Sequence, residues 1–314
     1  MALFDSLGEI RQRQKQLRRR RFLTISLAGV ACYGGYRWWR QRAKPLIQRI
    51  TQFVTPRGAF FTTSINPAFR PGIEPDSYRL IIEREGGGQS RFSLQTIRSL
   101  PSERVWRTLI CVGNSVGGPA IGNAEWTVTR LAPLLEPLVS GSRETALHVV
   151  FHGLDGFDSS VPLEIAMEPE SVLAYEMNGE DLPRKHGFPL RVLLPDRYGM
   201  KQPRWLERIV ITESDESGYW ERRGWSDSCL IQLTSRIDSA KPAQRGGWLV
   251  TGVAFCGARP VGLVEVSCND GQTWTPARLT RDPLPNCWCP WELEWTPRET
   301  GDHILSVRVT DSEG

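Results

Sequence analysis

No Cys-x-x-Cys pair occurs among the seven cysteines of this 314-residue chain. Zinc ribbons, thioredoxin-type redox centres and c-type haem attachment are therefore unsupported. The odd count also argues against a framework held entirely by disulfides. A spanning helix needs about 20 apolar residues; Phe22 to Tyr36 has fifteen before Arg37. No Ala-x-Ala cleavage site follows that run. Internal repeats and low-complexity tracts are absent, so repeat architectures are excluded. Clustered positive charge is missing from the body. Residues 1–50 hold twelve Lys/Arg against Asp5 and Glu9, a net +10 within a chain of +4, so residues 51–314 carry −6. An acidic body offers no face to a nucleic-acid backbone.

What is present divides the chain in three. Arg18-Arg19-Arg20-Arg21-Phe22-Leu23 fits a twin-arginine export pattern ahead of a modest apolar run. Trp38-Trp39 reads as an interfacial belt rather than a cleavage region. Residues 1–50 are expected to be an uncleaved membrane anchor, with a signal helix as the alternative. Basic density is higher before the apolar run than after it, which places the body on the periplasmic or outer side.

Residues 51–226 mix strands with short helices, an α+β pattern. A polar linker or helix is expected over 41–56, and strands over Ser77 to Arg84, Val105 to Val112, Leu147 to Phe151, Val172 to Met177, Leu190 to Leu194 and Ile209 to Thr212. Helices are expected over Gln95 to Leu100, Trp126 to Leu135 and Pro162 to Met167, with Gly86-Gly87-Gly88 and Asn178-Gly179 as tight turns. Helical signals disappear near 228. From 227 to 314, strand-like runs (Trp248 to Cys256, Gly262 to Cys268, Trp291 to Trp295, Asp302 to Thr310) alternate with turn signals, the mark of a β-sandwich. Cys287-Trp288-Cys289 would put two thiols on one strand face, where small buried hydrophobes are the expected role.

Cys111 is the most informative residue. It ends the apolar run Thr108-Leu109-Ile110 and precedes the turn Val112-Gly113-Asn114, a placement that suits a single thiolate metal ligand. Polar residues on loops after other strands accompany it: Asn114, Asp155, His186, Arg191 and the stretch Lys201 to Trp205.

Together and in this order, these segments resemble the sulfite oxidase family of molybdopterin oxidoreductases. The resemblance is carried by TLICVGN (108–114), AIGNAEWTVTRL (120–131), FHGLD (151–155), AYEMNGEDLPRKHGFPLRVLLP (174–195), YGMKQPRWL (198–206) and YWERRGW (219–225), and runs from about Phe60 to the chain end. It implies a sulfite-oxidase-type molybdopterin domain, then an immunoglobulin-like dimerisation domain entered at SRID (235–238). It implies a molybdenum–molybdopterin cofactor with Cys111 as metal ligand. Phe61, Thr62, Thr63, Asp155, His186, Arg191, Gln202 and Arg204 are then the cofactor contacts, and Trp225, with Cys111, belongs to the catalytic centre. The activity implied is two-electron oxygen-atom transfer on a small oxyanion or S-oxide. No cytochrome b5-like region occurs in these 314 residues, so electrons are expected to leave through an external carrier, a cytochrome or membrane redox partner.

The chain departs from the sulfite oxidase pattern at three positions. Thr63 stands where the family's active-site arginine is expected, Ser115 where arginine follows the Cys-x-Gly-Asn motif, and Trp225 at the tyrosine position. The variants look more like a bacterial membrane-attached branch. An S-oxide reductase and a non-catalytic interaction protein retaining the fold stay open as alternatives; a plain adhesion module leaves residues 60–220 unexplained.

Overall fold

The computed structural model describes residues 53–139, 147–244, 246–299 and 301–314. The expected anchor at 1–50, and most of the linker or helix expected at 41–56, lie outside the described residues. Among the described residues no helix is long and apolar enough to cross a membrane.

The first half contains β1 (Arg79–Arg84), β2 (Gln89–Ser93), α1 (Leu94–Ser99), β3 (Ser102–Ile110), β4 (Ile121–Arg130), α2 (Ala132–Val139) and β5 (His148–Gly153). It continues through β6 (Asp158–Pro162), α3 (Leu163–Ala166), β7 (Val172–Met177), β8 (Glu180–Asp181), β9 (Arg191–Leu193) and β10 (Leu206–Thr212). One sheet has the order β2-β1-β10-β5-β6, parallel only between β1 and β10. The other runs β3-β4-β7-β8, with β9 also on β7.

Strand alternation explains how they pack. Leu173 and Tyr175 of β7 join Leu80, Phe151 and Ile209 in the core against the first sheet. Val172 and Ala174, on the opposite face, join Phe60, Trp126 and Val128 in a second core. A side chain such as Leu173, fully buried, contributes about 1.5–3 kcal/mol relative to exposure. The Asn178-Gly179 turn has the expected positive φ at both residues, 55° and 78°. The Asn178 amide ties it to the Glu125 N–H and the Thr55 carbonyl, both at 3.1 Å.

The helix expected over Trp126 to Leu135 is not formed as such. Trp126 to Arg130 end strand β4, and α2 starts only at Ala132. Strand β4 lies between β3 and β7 and is buried on both faces. Two-sided burial erases the apolar–polar alternation, and the residual spacing mimics a helix. The β-branched run Thr127-Val128-Thr129 favours the extended form. Strands β6 and β11 carry no clear apolar alternation and are found only in the structure.

The second half contains β11 (Thr234–Pro242), β12 (Trp248–Phe255), β13 (Val261–Ser267), β14 (Thr275–Pro276), β15 (Arg278–Leu279), β16 (Cys289–Trp295) and β17 (Ser306–Asp311). Two antiparallel sheets, β11-β12-β16-β15 and β14-β13-β17, share a core that includes Val250, Val264 and Trp291. This is the expected sandwich. A further cluster joins Ile110 and Ile121 to Ile231, Val253, Phe255 and Trp288, so the sandwich packs against the strand ends that flank Cys111. All six cysteines among the described residues are free. Cys287 donates to the Asn123 side chain while Cys289 enters the sandwich core. Burial pushes both thiols up, to about 12 and about 11, which makes them poor nucleophiles.

Candidate active site

A cleft of about 230 Å³ opens in the first half, lined by all ten residues that the family resemblance assigns to the cofactor or catalytic centre: Phe61, Thr62, Thr63, Cys111, Asp155, His186, Arg191, Gln202, Arg204 and Trp225; Asn114, Lys201 and Trp205 stand outside its lining. The ten come from six separate stretches of chain, brought together by the two sheets.

Cys111 follows the end of β3. Its N–H donates to the Ala120 carbonyl at 2.9 Å and its carbonyl accepts from Asn114 at 2.9 Å, so the β3–β4 hairpin closes around it. The Asn114 side chain accepts from Ala120 N–H, and Arg236 of β11 reaches across to the Gly118 carbonyl at 2.8 Å. The sulfur itself takes only a long contact, 3.7 Å, from the Thr63 hydroxyl.

The 60–65 loop lies over β4 because residue 122 is glycine. A Cβ there would meet the Phe60 ring at 2.9 Å. Phe60 in turn stands edge-on to Trp126 and to His186. His186 is almost fully enclosed, and burial pushes its pKa down to about 3, with Arg191, Lys185 and Arg204 acting in the same direction. It is neutral at physiological pH. Its Nε2 lies 3.1 Å from the Arg57 carbonyl, so that nitrogen carries the hydrogen and donates, which leaves Nδ1 as an acceptor.

Gly187 follows with φ of 113°, and a Cβ added there would lie 3.2 Å from Arg191 Cβ and 3.1 Å from Arg204 Cβ. This close approach brings the two cations together. Arg191 is buried over the Trp126 ring, with Nη1 and Nη2 donating to the carbonyls of His186 and Gln202. Burial and the nearby Arg204 push its pKa down to about 9. Arg204 bonds the carbonyls of Lys185 and Thr63, so it fastens the first loop to the 184–191 segment. Asp155 faces Arg204; burial raises its carboxyl pKa, and Arg204 and the Phe157 N–H counter this.

Sequence reasoning overlooked Phe60, Phe157, Met200 and Trp220, which also line the cleft. Trp220 sits inside a recognised motif, and its proximity to Trp225 was the available signal. Phe60, Phe157 and Met200 read as ordinary core residues, and nothing in the sequence separates them from core.

Arg191 Nε and Gln202 Oε1 are buried without any hydrogen-bond partner. Native interiors rarely leave such groups unpaired, so a cleft lined by them is built for a polar ligand. No group of three or more His, Cys, Asp or Glu that could hold a metal ion exists among the described residues. A metal at Cys111 therefore needs ligands from a non-protein group. The set of one soft thiol, two guanidiniums and one unpaired amide oxygen fits an anionic ring system that brings its own sulfur ligands.

Comparison with known proteins agrees with this chemistry. Residues 68–220 match the family model described as "Oxidoreductase molybdopterin binding domain". Chicken sulfite oxidase is 32% identical over 83% of this chain and 67% of its own length. The chain belongs to the sulfite oxidase family. Rat mitochondrial sulfite oxidase is 33% identical over 86% of this chain, but the chain spans only 58% of that protein. The sulfane dehydrogenase SoxCD from Paracoccus pantotrophus has the same fold, with a TM-score of 0.74 over 86% of this chain and 75% of that one at 22% identity. Membership in the sulfite oxidase family implies a molybdenum–molybdopterin cofactor, and the residues lining the cleft fit one.

Proposed function

We propose that this chain is a molybdopterin-dependent oxidoreductase catalysing two-electron oxygen-atom transfer on a small substrate. The observation that carries this is the convergence of Cys111 with the buried Arg191, the half-buried Arg204 and two unpaired polar atoms in one cleft. In the oxidative direction, substrate and water give the oxygenated product, two protons and two electrons. The bound cofactor would supply the redox and oxygen-transfer chemistry. Cys111 would hold the metal as thiolate, a soft ligand that is not itself a nucleophile. Arg191 and Arg204 would neutralise the anionic end of the pterin, and His186 and Gln202 would satisfy its ring edge. Thr62 and the carbonyl of Thr63, fixed by Arg204, would position the first loop. Trp225, two-fifths exposed, would stand at the mouth.

A second reading keeps the cofactor and changes the substrate from a small oxyanion to a neutral S-oxide, reduced rather than oxidised. What favours it is that Thr63, beside the Cys111 sulfur, is uncharged. An oxyanion held beside the Cys111 sulfur would meet a hydroxyl at position 63 in place of a cation. The remaining expectations belong to the same proposal: an immunoglobulin-like sandwich able to form a homodimer, a membrane-anchored N-terminus with the body on the periplasmic side, and an external electron carrier.

The test is elemental analysis of protein from a host that makes the cofactor, followed by assays with sulfite and an artificial acceptor, and with a sulfoxide and an artificial donor. About one molybdenum per chain is expected, together with turnover in one of the two assays. Folded protein without molybdenum or pterin from such a host refutes the proposal.

A further inference from the structure

Behind the cleft, Lys201 and Glu221 form an ion pair whose side chains are 2% and 1% exposed. Each stands on a different wall. Lys201 closes the turn Gly199–Lys201 and lies between Met200 and Gln202, both cleft residues. Glu221 opens the turn Glu221–Arg223, which is flanked by Trp220 and Trp225, also cleft residues. Both turns are referred to the same strand, β6. Lys201 Nζ donates to the Ser160 carbonyl at 2.7 Å, and the Ser159 hydroxyl donates to Glu221 Oε1 at 3.4 Å. On the outer side, Arg222 grips both Asp158 oxygens at 2.7 Å, and Tyr219 N–H bonds the Asp158 carbonyl. Gly218 is obligatory for this seating, because a Cβ would lie 2.7 Å from Glu221 Oε2 and from Ser159 Cα.

This pair is poorly built for stability. Glu221 Oε2 is buried without a partner, and desolvating two charges roughly cancels their attraction. Apolar residues of similar volume would hold the fold as well. They would not fix the separation of the two walls, because apolar contacts are non-directional and an ion pair is not. We propose that Lys201 and Glu221 are a positioning pair that sets the tryptophan wall of the cleft against the 199–203 loop, and so sets the opening through which substrate enters. The functional meaning of that opening rests on the oxidoreductase reading; the geometric role does not.

The experiment compares the full-length holoprotein with the double variant Lys201→Met/Glu221→Leu, and uses Trp225→Phe and Trp220→Phe to assign signals. Trp220 and Trp225 stand nearly perpendicular with centroids 6.3 Å apart, so their coupling contributes to the near-ultraviolet circular dichroism. The double variant is expected to melt within about 4 °C of wild type, to lose the dichroism removed by Trp225→Phe, and to show increased acrylamide quenching of Trp225. An unchanged dichroism and quenching in the double variant overturns the proposal. So does collapse of the fold, which would make the pair a stability element. Molybdenum content is read on the same samples: its absence from wild type would sink the oxidoreductase reading and leave the positioning result standing.

Discussion

His186 makes the chain acid-sensitive in a defined way. Buried under Phe60 and surrounded by cations, it has a pKa of about 3 in place of the ordinary 6.5. Between those values the unfolded chain takes up a proton that the folded chain refuses. The stability held by neutral His186 is therefore fully present above pH 6.5 and is lost as pH falls toward 3. The slope is about 1.4 kcal/mol per pH unit, so reaching pH 5 removes ~2 kcal/mol. In a body of this size that lowers the melting temperature by roughly 4–8 °C. The comparison protein is His186→Gln, whose amide can still donate to the Arg57 carbonyl but cannot titrate. Other titrating groups are common to both proteins and cancel, because the charged groups facing His186 are Arg191, Lys185 and Arg204, none of which titrates near pH 5–7. Thermal melts of both, cofactor-free, at pH 7.5, 6 and 5 are the assay. Wild type should lose several degrees more than the variant. Equal pH slopes would refute the burial argument. Loading a phosphorylated pterin beside His186 should shrink the difference, since an anion there raises its pKa.

Cys111→Ser should strip molybdenum from the purified protein while the melting temperature stays within about 3 °C, because the thiol contributes little packing; elemental analysis and a melt decide it, and retained metal would contradict the ligand role. Thr63→Arg places a cation beside the Cys111 sulfur and should tighten sulfate binding to the loaded protein by roughly 10–100-fold, the worth of one charge-assisted hydrogen bond. Calorimetric titration reads this, and unchanged affinity would mean that the missing arginine does not set substrate charge. Gly122→Ala forces a Cβ into the Phe60 ring and should cost about 1–3 kcal/mol, measurable by urea unfolding, with neutral stability as the contrary result.

Much of this molecule was written in short-range pattern. Val172 to Met177 is apolar at every position but Glu176 and carries Asn-Gly behind it, so both strand and turn were legible. The trains of short strands after 228 announced a sandwich for the same reason: period-two burial and turn residues act within a few positions of each other. The ten candidate site residues were legible through motifs that keep order and spacing in the text, and the structure lines one cleft with them. Strand β4 was misread, since burial on two faces is a property of its neighbours and leaves no period in the strand itself.

What only the tertiary structure decided is where charge can act. By sequence, Arg191, Arg204 and His186 are three basic residues. In the fold, Gly187 lets the two arginines close in, each of their terminal nitrogens is oriented by one carbonyl, and burial leaves His186 neutral. Lys201 and Glu221 lie twenty residues apart in two separate motifs, and nothing in the text pairs them, yet they meet behind the cleft with almost no solvent contact. Hydration, pairing and pKa depend on which groups come within a few ångströms, and that proximity is set by the packing of both sheets rather than by any local stretch of chain.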